Sequence, residues 1–309
     1  MNFEEALNNY PFILTEGSVV ERVRRNKEIQ FDENLGNASL LYDKSGRKLL
    51  EAIYRQYIEI GKRHNLPMIT LTPTWRANNE RIAKAGLVNK NVNKDAFLFL
   101  NEIVKSYGEY KTKIYIGGLI SCRGDAYNPA EALSKEEAFE FHSWQLNNLA
   151  EAGVDFLKAS TLPALSEAIG IAVAMSKTSL PYILSFVIRE NGNILDGTPL
   201  IDVINEIDSS VFPNPVCYMV NCIHPTVFIK ALEQNSGLNK RVMGIQANTS
   251  CKTPEELDGS AELDTEEPII FAEHIKELHL KYKIKILGGC CGTDERHIEK
   301  IASEITNAG

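Results

Sequence analysis

The chain has 309 residues, 44% of them hydrophobic and 24% charged, enough for one large core or two ordinary ones. Its formal net charge of −8 excludes the basic surface that a nucleic-acid partner requires. No run approaches the roughly 18 consecutive apolar residues of a membrane span, and Met1–Glu5 lacks the positive flank and apolar run of a secretory signal, so the six cysteines read as reduced thiols of a cytoplasmic protein.

Short apolar runs alternate with helical segments along the chain. Strands are expected at Phe12–Thr15, Pro67–Leu71, Lys113–Ile120, Asp155–Ala159, Tyr182–Ile188, Val216–Val220, Arg241–Gln246 and Ile284–Leu287. Between them, Lys94–Tyr107 carries Phe97, Leu98, Leu100, Ile103 and Val104 at roughly helical spacing. Ser134 and Glu137 form a capping box that opens a helix to about Ala152, with Gly153 as its stop. Pro163–Ser176, Leu200–Ile207, Pro225–Glu233, Pro268–Leu280 and Asp294–Ile305 complete the series, several with Pro or Asp at the entry. The long connection Val20–His64 and the polar stretch Asn248–Glu267 read as insertions or mobile loops.

Eight strand–helix units in one chain of this length predict an α/β fold, a single (β/α)8 TIM barrel over residues 1–309. An open doubly wound sheet would place spaced glycines after the first strand, and Thr15–Val20 lacks them. No P-loop, His-Glu-x-x-His or Gly-x-Ser-x-Gly motif is present.

The chemistry concentrates in Gly288-Gly289-Cys290-Cys291-Gly292-Thr293, directly after the last apolar run. Adjacent side chains on a strand point to opposite faces, so both sulfurs can face one point only if the chain leaves strand geometry there. Three flanking glycines permit that departure. Cys222 ends another apolar run, behind Asn221. In a barrel both places lie at the C-terminal mouth, where active sites gather. Three thiolates leave one position open on a tetrahedral Zn²⁺, the pattern of a catalytic site. A thiol taking that position would be favoured as thiolate while the sulfur ligands keep it electron-rich, which points to alkyl transfer onto sulfur over hydrolysis. Cys122, Cys217 and Cys251 lack this setting and read as structural; Cys217, five positions before Cys222, should face away from it. His224 and His297 read as caps or surface groups.

These residues resemble the homocysteine S-methyltransferase family of zinc-dependent barrels over nearly the whole chain. The likeness is carried by Gly288–Thr293 with His297-Ile298, and by Val220-Asn221-Cys222 with Pro225. Weaker parts are Asp196–Pro199, Glu151–Leu157, and Thr161-Leu162-Pro163 with Glu167-Ala168. The resemblance implies that Cys222, Cys290 and Cys291 hold zinc and that homocysteine sulfur joins them. It places the amino-acid end of the acceptor near Glu16, Gly17 and Ser18, and near Ser160, Thr161, Asn221 and Asn248. Where the family has Asp-Gly after strand one, this chain has Glu16-Gly17; where it has Glu before Thr-x-Pro, this chain has Ser160. Glu16 or Glu21 would then supply the carboxylate for the acceptor ammonium. Trp75 and Arg76, after strand two, would form a wall of the donor pocket.

The expected function is methyl transfer from a sulfonium or other activated donor to a small thiol, homocysteine giving methionine. The alternatives are the same chemistry on a thiol that is not an amino acid, or with a separate corrinoid protein as methyl carrier. A non-catalytic zinc- or thiol-binding protein is the reading from another class.

Overall fold

The computed structural model describes residues 1–253, 256 and 264–307. Eight parallel strands close into one barrel in sequence order: β1 Ile13–Thr15, β2 Met68–Leu71, β3 Ile114–Ile120, β4 Phe156–Leu162, β5 Tyr182–Phe186, β6 Cys217–Asn221, β7 Val242–Ala247 and β8 Ile286–Gly289. Closure is made by β1 against β8, with Ile13 opposite Ile286 and Leu14 opposite Leu287. Each strand lies within a few residues of its expected place. The strands are buried on both faces, which is why they read as continuous apolar runs rather than alternating ones.

The helices that wrap the barrel are α3 Lys44–Arg63, α5 Val92–Lys105, α6 Lys135–Ala152, α7 Leu165–Ser176, α8 Leu200–Ser210, α9 Pro225–Gln234, α10 Pro268–Tyr282 and α11 Glu295–Thr306; short α2 Val20–Arg24 and α4 Asn79–Lys84 sit in the loops after β1 and β2. The Ser134/Glu137 capping box and the left-handed Gly153 stop of α6 are both present. The connection Val20–His64 is not an insertion: it contains the barrel helix α3, whose Asp43 side chain caps Gly46 N–H and whose Leu50, Ile53, Tyr54, Tyr57 and Ile58 bury one face. The expected loop Asn248–Glu267 extends outside the described residues at 254, 255 and 257–263.

An N-terminal helix, α1 Phe3–Asn9, is opened by a capping box between Asn2 and Glu5 and closes the bottom of the barrel. Phe3 stacks on Phe156 at 4.1 Å and meets Tyr115 edge-on at 5.9 Å. This floor shares one apolar cluster with the inward-facing Ile13, Ile69, Ile183, Met219 and Ile286. Phe3→Ala is expected to lower the unfolding free energy by about 3–5 kcal/mol, read from urea titration; a loss under about 1 kcal/mol would show that α1 does not seal the core.

Candidate functional site

The end of β6 and the end of β8 meet above β7. Cys222 N–H donates to Gln246 O at 3.1 Å and Cys290 N–H to Ala247 O at 2.7 Å, so β7 is the shared rail on which the two cysteine segments lie. Cys222 Sγ and Cys290 Sγ are 3.0 Å apart. That is well beyond a disulfide bond of about 2.05 Å and inside the roughly 3.8 Å between two sulfurs held at about 2.3 Å on a tetrahedral ion.

Cys222 reaches this position by leaving the strand in a left-handed conformation, φ 56°. Thr161, at the end of β4, does the same at φ 62°, a rare state for a β-branched residue. Asn221 joins the two. Its Oδ1 accepts from Thr161 N at 3.0 Å and from Ser185 Oγ at 2.6 Å, while Nδ2 donates to Thr161 Oγ1 at 2.8 Å and to Cys222 Sγ at 3.1 Å. Just past the ends of β7 and β8, Asn248 Oδ1 accepts from Cys291 N at 3.1 Å, and the Cys291 carbonyl accepts from Thr249 N. Of the three flanking glycines, only Gly292 is left-handed, at φ 83°. Gly288 and Gly289 stay in β8, where Thr15 and Thr293 fill the space a Cβ would need. The chain therefore leaves β8 at Gly289, just before the cysteine pair, and turns through left-handed Gly292 just after it.

The cysteines are electrostatically unequal. The hydrogen bond from the Cys290 thiol, and then the influence of Cys291, hold Cys222 well below the ordinary thiol range, favouring it as the thiolate of the set. The same interaction with Cys222 pushes Cys290 and Cys291 upward. Among the described residues, the group of three possible ligands with donor atoms all within 4.8 Å is His224, Glu266 and His274. Cys291, which is exposed, therefore stands off from at least one of the other sulfurs. The soft, partly ionised sulfur set still fits a thiophilic ion better than the histidine group does. His224 Nδ1 accepts from Thr226 N as the cap of α9, which leaves Nε2 protonated toward Glu266 at 3.3 Å. His297 is likewise a cap, in a box with Asp294.

Glu16, Gly17, Ser18, Ser160, Thr161, Asn221 and Asn248 line one cavity of about 1130 Å³ together with Cys222, Cys290 and Cys291. Gly17 allows Tyr57 Oη and Thr293 Oγ1 to approach within about 3 Å of where a Cβ would sit. Ser18 N–H donates to Thr293 Oγ1, tying the β1 turn to the cysteine loop. Ser160 Oγ is buried without a hydrogen-bond partner, a polar atom with capacity left over at the cavity wall. Glu16 is 5% exposed, and its Oε2 accepts from Thr70 Oγ1 and Leu71 N, both at 3.0 Å. Burial pushes its carboxyl up to about 8. Glu21 is turned away from an acceptor role, accepting from Gly292 N and pairing with Arg25.

Three features escape a reading of the sequence. Lys158, on β4, is 2% exposed inside the barrel, with Nζ on Gln246 Oε1; burial drives it down to about 8. Tyr127, from the loop after β3, lines the cavity near Cys222, whose charge holds the phenol far above its ordinary range. Cys217 faces the barrel interior with Met219, below the mouth, because Cys222 and not Cys217 breaks the alternation. Lys158 carries no spacing signal, and Tyr127 lies in an ordinary turn segment, so neither had a local cue.

Fold and site define a (β/α)8 barrel enzyme with a sulfur-rich, metal-competent centre at the strand C-termini. The homocysteine S-methyltransferase family model matches residues 13–305, and the chain belongs to that family, a family of methyltransferases. It is 24% identical to homocysteine S-methyltransferase YbgG of Bacillus subtilis over 97% of this chain and 96% of that one. It is 23% identical to homocysteine S-methyltransferase of Escherichia coli over 93% of each. The metallated form of the Escherichia coli homocysteine methyltransferase MmuM superposes with a TM-score of 0.78 at 19% identity, over 97% of this chain and 98% of that one.

The folded chain keeps a proton on Glu16 up to about pH 8, whereas the unfolded chain releases it near 4.5. The folded state therefore binds more protons in that window, and its stability falls as pH rises from about 5 to about 8. Glu16→Gln is expected to flatten that fall, measured by urea unfolding at about pH 5 and about pH 8; equal slopes in both proteins would refute the assignment.

Proposed function

We propose that this protein transfers a methyl group to the sulfur of a small thiol at the cysteine centre, with homocysteine as acceptor and methionine as product. The observation that carries the reading is the meeting of Cys222 and Cys290 sulfurs, with Cys291 beside them, in the cavity that Glu16 and Ser160 line. We assign Cys222, Cys290 and Cys291 as ligands of zinc. Bound there, zinc would favour loss of the acceptor's thiol proton while thiolate ligands keep the sulfur nucleophilic. In the transfer, the acceptor sulfur–carbon bond forms as the donor's heteroatom–methyl bond breaks. The donor keeps the bonding pair and the thiol proton leaves to solvent.

The chain's own residues hold the partners still. Asn221 donates to the sulfur of Cys222, and Asn248 fixes the backbone N–H of Cys291. Ser160 Oγ has a free hydrogen-bonding position for the acceptor. Tyr127 lines the cavity from the β3 side, close enough to Cys222 to feel its charge. Glu167, buried, accepts from Arg123 N at 2.8 Å and Leu133 N at 3.3 Å and so anchors the loop that carries Tyr127. Six free cysteines suit a reducing cytosolic setting.

A second reading keeps the chemistry and changes the thiol. Glu16 is neutral below about pH 8 in the unliganded site, and Ser160 brings no charge, so an acceptor without an ammonium group meets no penalty.

Purified protein is expected to hold about one zinc per chain, and Cys290→Ser to lose it together with at least about 90% of the activity. A metal-free preparation that still methylates thiols ends this version. Homocysteine should exceed 4-mercaptobutyrate by about 10–100-fold in kcat/KM, the worth of one charged hydrogen bond; parity between them would favour the second reading.

A further inference from the structure

Four arginines line the same cavity; Arg25 pairs with Glu21, while Arg24, Arg76 and Arg81 come from α2, the β2 turn and α4. Eight other arginines each pair with a carboxylate, Arg22 with Glu295 and Arg123 with Glu80 among them. Among the described residues, none of these three does. Arg24 stands over the Phe31 ring at 5.2 Å, Arg76 over Trp75 at 4.4 Å, and Arg81 donates to the Asn34 carbonyl at 3.4 Å. Burial first, then the charge of Arg81 and more weakly that of Arg24, lower the Arg76 guanidinium against the opposing pull of Cys122 and Asp125, so Arg76 is near enough to both arginines to be repelled by them. Asp125, close to Arg76, makes no ion pair with it and accepts from Tyr127 N through Oδ1. Carboxylates line the cavity too, but Glu21 pairs with Arg25, Glu131 accepts from Asp125 N and Asn128 Nδ2, and Asp264 pairs with Lys252, so three guanidinium groups without an ion pair at one wall form an anion site. A planar guanidinium suits carboxylate or phosphate oxygens in pairs.

We propose that Arg24, Arg76 and Arg81 form the subsite for an arm of the methyl donor that bears two or more negative charges, carboxylate or phosphate. The assignment rests on the methyl-transfer reading. The sulfur centre stands on the β6 and β8 ends with Ser160 and Glu16 beside it, which accommodates the acceptor. The arginines rise from the loops after β1 and β2, and a cavity of about 1130 Å³ is beyond the roughly 300–1,000 Å³ usual for one small molecule, so donor and acceptor fit together. A purely cationic sulfonium would be repelled from that wall.

The test uses zinc-loaded protein and two probes, a γ-linked triglutamate and inorganic phosphate, in titration calorimetry. Wild type is expected to bind at least one probe, with the affinity reduced at least tenfold in Arg76→Ala/Arg81→Ala and in the milder Arg76→Gln by a smaller factor. Preference for triglutamate marks a carboxylate arm and preference for phosphate a phosphate arm. The same probe should compete with the donor and not with homocysteine in steady-state methyl transfer. No binding by wild type, or equal binding by folded variants, overturns the subsite alone. Probe binding with no methyl transfer from any donor to any thiol overturns the methyltransferase reading and the donor assignment with it.

Discussion

The active mouth depends on one hydrogen-bonded carboxamide. Asn221 ties two left-handed residues on non-adjacent strands, Thr161 on β4 and Cys222 after β6, and uses both ends of its side chain to do so. Without a donor and acceptor on one rigid group, each strained backbone would relax toward the extended state it leaves, at about 1–3 kcal/mol apiece. The sulfur position and the shape of the β4 rim are therefore fixed together. Asn248 performs the matching task for Cys291 on the other side of β7.

Below this level lies a polar layer unusual for a barrel core. Lys158, Gln246 and Glu16 are sealed inside, and two isolated charges there would each cost several kcal/mol. Burial moves both ionisable groups toward neutrality, Glu16 up to about 8 and Lys158 down to about 8, and each is hydrogen-bonded through what remains. Lys158 also feels Cys290, Glu16 and Cys222. It is thus a cation held beneath a site whose thiolates make it anionic, which lowers the cost of ionising sulfur above it. The apolar floor under α1 keeps water from entering behind that layer.

The barrel itself was legible because its strands are buried on both faces. Val216–Val220 and Ile284–Leu287 read as strands from composition alone, and their ends carry the motif residues. Helix α3 was legible too, since Leu50, Ile53, Tyr57 and Ile58 repeat at helical spacing behind Asp43; taking the length of the connection as a sign of insertion hides it. The cysteines announce themselves by adjacency and position. What they need is less visible. Asn221 and Asn248 look like substrate contacts from their places at strand ends, yet their side chains are engaged with Thr161, Ser185, Cys222 and Cys291. Tyr127 and Lys158 act through partners about 90 residues away in sequence, Cys222 and Gln246, and no local pattern encodes such a meeting.

The exchange at the β4 rim has a consequence for acceptor recognition. Ser160 leaves that rim without charge, and the ionisable group of the strand is instead Lys158, one inward position deeper. The carboxyl comes from β1, as Glu16, and it is protonated near neutrality in the unliganded site. A carboxylate that is always ionised would attract any cation, a methyl-bearing sulfonium included. A carboxyl that ionises only when an ammonium displaces its proton discriminates by geometry, because desolvation is offset only by a cation seated against it. Affinity for an amino-acid thiol would then rise as pH approaches about 8. The ammonium end thus gains its charge only when the acceptor is in place, which keeps the empty β1 turn from holding a cation that does not fit against Glu16.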